Sequence, residues 1–511
     1  MKNLIGQRFW FCIAIVFCSM GLSAQLSVVN TENGQVSGYK SGEINIFKGI
    51  PFAAPPVGEL RWKAPAPVKN WSGVLKCDKF SASPMQRKPV PFMMWTEEFI
   101  TPSENLSEDC LYLNVWTPAK SAKDKLPVFV WIYGGGFSSG SAACTVYDGE
   151  EMSKKGIIFV SINYRVGVLG FMAHPGLSSE SANKVSGNYG LLDQIAALVW
   201  IKRNIEAFGG DPQKVTIDGQ SAGSMSVCVL VASPLAKGLF RGAIAESGGI
   251  LNNRMSNNLA DAEKSGIAIM EKLKTSSIDE LRKKSADELI NAGGNFGPVA
   301  DGYVIPNDVF GAFRNGKFND VAMMAGWVTG DGSIMGNQTL TLEKYKEQAL
   351  KNYGDKAEEF LKLFPGNTND QVSASMKLVG LMQFAAVPAY LWAGYASKQA
   401  YVYEFSHVPV DKPDFPNYGA FHTSEVPFAL HTLHLWKRPW RDVDFAVEKT
   451  MNDYWVNFVK NGNPNGKDLP EWKVYDKPIG NIMEIGDQSK LTPGLYKNEF
   501  KFLAGMLVTK K

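Results

Sequence analysis

An apolar run, Val215-Thr216-Ile217-Asp218, leads into Gly219-Gln220-Ser221-Ala222-Gly223, and a stretch of helical character, Ser224 to Val231, follows at once. The chain must therefore pass from strand to helix inside one short turn. Glycines on both sides of Ser221 leave room for it, because β-carbons there would collide. A serine held clear of its neighbours can hand its proton to a base, which it needs in order to act as a nucleophile. The helix behind it aims its first N–H groups at negative charge developing in front. The pentapeptide alone is weak evidence. Its place between strand and helix makes Ser221 a candidate nucleophile.

From about residue 112, β-rich runs alternate with helical patterns. Strands are expected at Tyr112–Thr117, Pro127–Tyr133, Ile157–Tyr164, Val215–Asp218, Ala243–Ser247, Val321–Gly326 and Ala400–Phe405. Helical spacing is clear in Leu191–Phe208, where apolar positions recur every three to four residues. This alternation predicts an α/β architecture: a mostly parallel central sheet covered on both faces, with chemistry at the carboxyl ends of its strands. Residues 251–320 and 333–400 read as mainly helical and are expected to cap the site. Together with the elbow at Ser221, this is the α/β-hydrolase pattern. No linker, repeat or low-complexity tract interrupts the 511 residues, so 25–511 reads as one domain. With 45% hydrophobic and 20% charged residues the composition is globular, which excludes a disordered chain.

Residues 1–24 stand apart. Lys2 and Arg8 precede an apolar run, Phe9 to Leu22, that is short for a membrane span, and Ser23-Ala24 offers small residues before Gln25. A cleaved signal peptide over 1–24 is expected, and with it a secreted or periplasmic protein; an uncleaved anchor is the alternative. Without the leader the formal charge falls from +3 to +1, so nothing points to nucleic acid or to a strongly charged partner. No second apolar segment reads as a membrane span. Cys77, Cys110, Cys144 and Cys228 remain after the leader, and an exported chain can keep disulfides. Spacing alone leaves three pairings open. Cys228 falls on the apolar face of the helix after Ser221 and reads as a buried thiol. No Cys/His spacing suggests a metal, and no cofactor is expected.

A serine nucleophile needs an oxyanion hole, a base, and an acid that orients the base. Trp131-Ile132-Tyr133-Gly134-Gly135-Gly136-Phe137 follows a buried strand, and consecutive glycines leave N–H groups open to a substrate oxygen. The N–H of Ala222 is expected to join them, each donor of this kind being worth about 3 kcal/mol in the barrier. Among the five histidines, His174 precedes the acid's place in fold order and drops out. His407 closely follows a strand, and His431 and His434 fall in a helical stretch. His422 lies in the loop Gly419-Ala420-Phe421-His422-Thr423-Ser424-Glu425, where catalytic groups are commoner. It is the expected base. Asp331, between Gly330 and Gly332 just after an apolar strand, is the expected acid; by position it reads equally as a turn aspartate.

Taken together, the residues resemble the type-B carboxylesterases. The matching stretches are Phe47-Lys48-Gly49-Ile50-Pro51-Phe52-Ala53-Ala54-Pro55-Pro56-Val57-Gly58 with Arg61-Trp62, and Glu108-Asp109-Cys110-Leu111-Tyr112-Leu113-Asn114-Val115. After the glycine loop come Asn163-Tyr164-Arg165-Val166-Gly167, Asn188-Tyr189-Gly190-Leu191-Leu192-Asp193-Gln194 and Phe208-Gly209-Gly210-Asp211-Pro212. Tyr454-Trp455-Val456-Asn457-Phe458 and Gly462-Asn463-Pro464-Asn465-Gly466 close the series.

The resemblance implies hydrolysis of small-molecule carboxylic esters through an acyl-enzyme on Ser221, with His422 as base, Asp331 as acid, and Gly135, Gly136 and Ala222 as oxyanion donors. It implies that Ser247, in Glu246-Ser247-Gly248, supports the acid and base. It also implies a disulfide between Cys77 and Cys110, whose loop would contribute about 3–4 kcal/mol by chain entropy. Trp95 inside that loop, Phe137 and Trp327 are candidate pocket walls; simple packing is the alternative for both tryptophans. Three positions depart from the family. Its acid is usually Glu, one carbon longer than Asp331. The residue before its nucleophile is usually Glu, where this chain has Gln220, so attraction for cationic substrates is weakened and cholinesterase activity is not expected. Asp218 fills a place that is often apolar. A histidine base must be neutral, so activity is expected to fall in acid. A silent recognition protein on the same fold, an amidase or thioesterase, and an interfacial lipase are the rival readings.

Overall fold

The computed structural model describes residues 27–252, 258–335, 340–413 and 415–508. The expected leader lies outside them. An eleven-stranded sheet forms the centre. Its middle strands are Ile158–Ile162, Leu126–Ile132, Gly210–Gln220, Gly242–Glu246, Ala322–Val328, Ala400–Phe405 and Asn481–Ile485, side by side in that order and all parallel. Every residue of Ile158–Ile162, Gly242–Glu246 and Ala400–Phe405 is buried, which is why these strands read as continuous apolar runs rather than alternating ones.

The expected strands all form, and Tyr112–Thr117 and Ala400–Phe405 keep their bounds. Tyr112–Thr117 departs from the parallel expectation. It pairs antiparallel with both Ile158–Ile162 and Ile44–Pro51. The strand before Ser221 is longer than expected, Gly210–Gln220, with a register shift between Gly210 and Val215 where Pro212 cannot donate to the ladder. The expected helix divides into an α-helix, Tyr189–Asn204, and a tighter turn, Ile205–Phe208, before the left-handed Gly209.

Of the two expected cap segments, 251–320 has helices alternating with irregular segments, while helices dominate 333–400. Ile290, Gly293 and Phe296 of the first reach the cavity above Ser221, and Phe384 of the second meets His422 edge to face. Among the described residues one helix, Asn369–Tyr395, is long and apolar enough to cross a membrane by length and composition, contrary to the sequence reading. Its carboxyl-terminal third, Val387–Tyr395, buries Val387, Leu391 and Trp392, and it packs beside the strands Ala322–Val328 and Ala400–Phe405.

The disulfide is a correction. Cys77 and Cys110 are both free, buried thiols, as are Cys144 and Cys228. Cys77 Sγ faces the Gly49 carbonyl at 3.9 Å, while Cys110 lies near Arg165 and Asp193. Burial pushes Cys77, Cys144 and Cys228 up to about 12, which keeps them as unreactive thiols. Backbone pairing closes the loop instead. Ser83–Pro84 runs parallel to Leu106–Ser107, and the Cys77 N–H donates to the Ser37 carbonyl at 2.7 Å.

The Asn-Tyr-Arg and Leu-Leu-Asp motifs meet in a buried ion pair. Arg165 Nε and Nη2 donate to Asp193 at 2.8 and 2.7 Å, and the Arg165 backbone N–H adds a bond of 3.0 Å. This fixes the chain just before Val166, Gly167 and Val168, which line the cavity. Asp193→Ala leaves a guanidinium buried without its counter-charge. A loss of about 3–5 kcal/mol is expected in urea unfolding, and a loss below 1 kcal/mol would refute it.

Candidate active site

The carboxyl ends of five neighbouring strands bring the candidate residues together: the glycine loop, Ser221, Ser247, Asp331 and, further along the chain, His422 each follow one of them. Ser221 has φ +59° and ψ −120°, a strained backbone for a residue with a side chain. The elbow glycines are required by close packing. A β-carbon on Gly223 would lie 2.0 Å from the Ile132 carbonyl, and one on Gly219 would lie 2.6 Å from Gly223.

The Ser221 hydroxyl donates to His422 Nε2 at 2.8 Å, and His422 Nδ1 donates to Asp331 Oδ1 at 2.6 Å. The other Asp331 oxygen accepts the Val328 N–H at 3.1 Å, so both carboxylate oxygens are engaged and the side chain is fully buried. With Nδ1 donating, Nε2 is left as the acceptor a general base requires. Phe384 and Trp95 stand edge-on to the imidazole at 5.3 and 6.4 Å, and the Trp95 indole donates to Thr423 Oγ1 at 2.7 Å. Packing thus restricts the ring.

The Gly135 carbonyl accepts bonds of 3.1 Å from the N–H groups of Ser138 and Ser139, and further bonds from both hydroxyls. Because a peptide is planar and trans, the Gly136 N–H must point to the opposite side. The N–H groups of Gly135, Gly136 and Ala222 meet no acceptor among the described residues. A β-carbon on Gly134 would lie 2.9 Å from that of Ser221, so the loop runs against the nucleophile position. Gly135 and Gly136 line a cavity of about 710 Å³, lined also by Ser221, His422 and Trp95. The arrangement offers a nucleophile, a base with an orienting carboxylate, and free donors, the set that acyl transfer needs.

A model of the carboxylesterase family matches residues 25–503. The chain belongs to that family. The fumonisin B1 esterase of Sphingopyxis macrogoltabida is 34% identical over 496 residues, covering 92% of this chain and 88% of that protein. The para-nitrobenzyl esterase of Bacillus subtilis is 33% identical over 476 residues, covering 88% and 92%. A solved structure of PNB esterase has a TM-score of 0.81 at 29% identity, covering 93% of this chain and 99% of that one. This carboxylesterase is an α/β-hydrolase and a carboxylic ester hydrolase.

Three expected roles change. Trp327 is fully buried on Phe500 and donates to Glu404 at 2.9 Å, so it packs and forms no pocket wall. Phe137 turns under the glycine loop against Phe171, at 5.2 Å, and does not line the cavity. Ser247 donates to Glu425 Oε1 at 3.0 Å rather than to Asp331 or His422, because its own strand end faces the start of the helix after His422.

Glu425 is the residue sequence reasoning passed over, although it sits three positions beyond the chosen base in the same quoted loop. Asp218 gains an account as well. The Trp455 indole N–H is shared between Asp218 Oδ2, at 3.1 Å, and Glu246 Oε1, at 2.7 Å, on adjacent parallel strands. Burial pushes both carboxyls well above the usual range, which favours their neutral forms. The amide of Gln220 lies 3.4 Å from both His422 nitrogens.

Burial first, and the charge of Asp331 second, push the Glu425 carboxyl from its ordinary 4.5 up to about 8. Between these values the folded state keeps a proton that the unfolded chain releases. Its contribution to stability is complete below about 4.5 and is lost as the pH rises through about 8. Glu425→Gln has no such proton. Relative to the parent, its melting temperature is expected to improve steadily from pH 5 to 8; a constant gap would refute this.

Proposed function

We propose that this carboxylesterase works by two-step acyl transfer on Ser221. His422 takes the hydroxyl proton as the oxygen attacks the ester carbonyl, and Asp331 holds the imidazole and stabilises its charged form. The oxyanion lies against the N–H groups of Gly135, Gly136 and Ala222. Loss of the alcohol takes the proton back from His422; water then repeats the cycle and frees the acid. The relay from Ser221 through His422 to Asp331, at 2.8 and 2.6 Å, carries this reading. The substrates are small-molecule esters, admitted to the cavity beside the aromatic wall of Trp95.

The test is hydrolysis of p-nitrophenyl esters from acetate to octanoate, together with labelling by a fluorophosphonate. Turnover with a chain-length optimum, and the mass of one phosphonyl group on the peptide carrying Ser221, are expected. Labelling on another residue would overturn the assignment. We also propose that residues 1–24 are removed on export and that one catalytic domain follows. The basic start, the short apolar run and Ser23-Ala24 support this. Sequencing the amino terminus of exported protein should begin at Gln25.

A further inference from the structure

Among the described residues, the charge-bearing ones lining the cavity apart from His422 are Arg87 and Lys88, with no aspartate or glutamate. Both are exposed, and neither has an ion pair or side-chain hydrogen bond among the described residues. Elsewhere in the chain Arg61, Arg165, Arg282 and Arg441 are each paired with a carboxylate. The wall next to them is aromatic, with Phe92, Trp95 and Phe99. A low-dielectric wall focuses the field of unpaired cations into the cleft rather than letting solvent dissipate it.

The two cations are also placed, not merely tethered. The preceding residue, Gln86, clamps the glycine loop: its Nε2 donates to the Gly140 carbonyl, and its Oε1 accepts the Gly140 N–H, both at 2.9 Å. Ser83 adds a bond to Ser141 at 2.9 Å. Pro89 then favours an extended backbone at Lys88. Arg87 and Lys88 therefore leave the chain one and two residues from a point bolted to the loop that carries Gly135 and Gly136.

Among the described residues, no acid in the cavity lining opposes them. Gln220, which lines the cavity, is neutral, and Asp331 is behind His422. The carboxyls of Asp218, Glu246 and Glu425 are held towards their neutral form by burial. From this we infer that the site takes esters bearing a free carboxylate remote from the scissile bond, with Arg87 and Lys88 holding that carboxylate while the ester carbonyl lies against Ser221. Guanidinium and ammonium groups suit the task, the former by two parallel hydrogen bonds. The inference rests on the esterase reading above and narrows its substrate class.

Two matched pairs test it: monoethyl adipate against ethyl hexanoate, with the charge on the acyl side, and 6-acetoxyhexanoate against hexyl acetate, with the charge on the alcohol side. The quantity read is the ratio of kcat/KM for the anionic ester to that for its neutral partner. In at least one pair, R87Q/K88Q is expected to lower the ratio about tenfold, the size of two exposed charge contacts. R87E/K88E should lower it further, and salt near 1 M should shrink the parent's preference as screening shortens to about 3 Å. If the ratios in both pairs are the same for parent and variants, the anion subsite is overturned while the esterase reading stands. If no ester in either pair is hydrolysed, both fall.

Discussion

Ser221→Ala is expected to lower kcat on p-nitrophenyl butyrate about a millionfold, leaving only what substrate binding and the free N–H donors supply. The size follows from the arrangement. His422 Nε2 has the Ser221 hydroxyl at 2.8 Å as its reacting partner, so once the oxygen is gone the base has nothing to deprotonate. The amide of Gln220, 3.4 Å away, is no substitute, since it can neither lose a proton at neutral pH nor form a stable acyl intermediate. Nor are the cysteines, because Cys144, which lines the cavity, is pushed up to about 12 and stays a thiol. Ser and Ala differ by one oxygen, and Ala faces the same strain at φ +59°, so the urea midpoint should move little. Steady-state kinetics on protein whose fold is verified by circular dichroism would decide. A fall of less than a hundredfold would mean that another group attacks the ester.

Much of this site was legible in the sequence because its parts are local. The elbow at Ser221 is fixed by glycines whose β-carbons would strike backbone atoms, and such constraints leave a written mark. So do the glycine loop and the loop of His422. What stayed hidden depends on which strand lies beside which. Asp218 looked out of place until the sheet set it next to Glu246, under Trp455 from a distant helix. The partner of Ser247 was hidden for the same reason, being Glu425 across the sheet. Trp327 and Phe137 were misassigned because a residue's number says how near it is to the site but not which way its side chain turns. The cysteines teach a related lesson. A family pairing implied a disulfide, yet the loop it would close is already tied by the pairing of Ser83–Pro84 with Leu106–Ser107.

Asp331→Asn separates the two readings of Asp331 that the sequence left open. As a turn residue it could be replaced by Asn at little cost, since Asn is as common beside glycine in turns. In the observed geometry both carboxylate oxygens accept, Oδ1 from His422 Nδ1 and Oδ2 from the Val328 N–H. An amide has one oxygen. If it serves Val328, the amide NH₂ faces His422, Nδ1 must accept, and the ring proton moves to Nε2, which can no longer receive the proton of Ser221. If it serves His422, two N–H groups oppose each other in a fully buried site and one loses its partner. The first arrangement avoids that penalty, so the inactive tautomer is favoured. A fall in kcat of about ten thousandfold is expected, with KM changed far less. Asp331→Glu restores the acceptor pair and matches the acid usual in this family. It must still fit an extra methylene where Asp331 is fully enclosed, so it should recover most of the loss but not all. If Asp331→Asn keeps activity within tenfold of the parent, Asp331 is a turn residue and another carboxylate orients His422. Glu425, the buried acid next to it, would then be the first to replace.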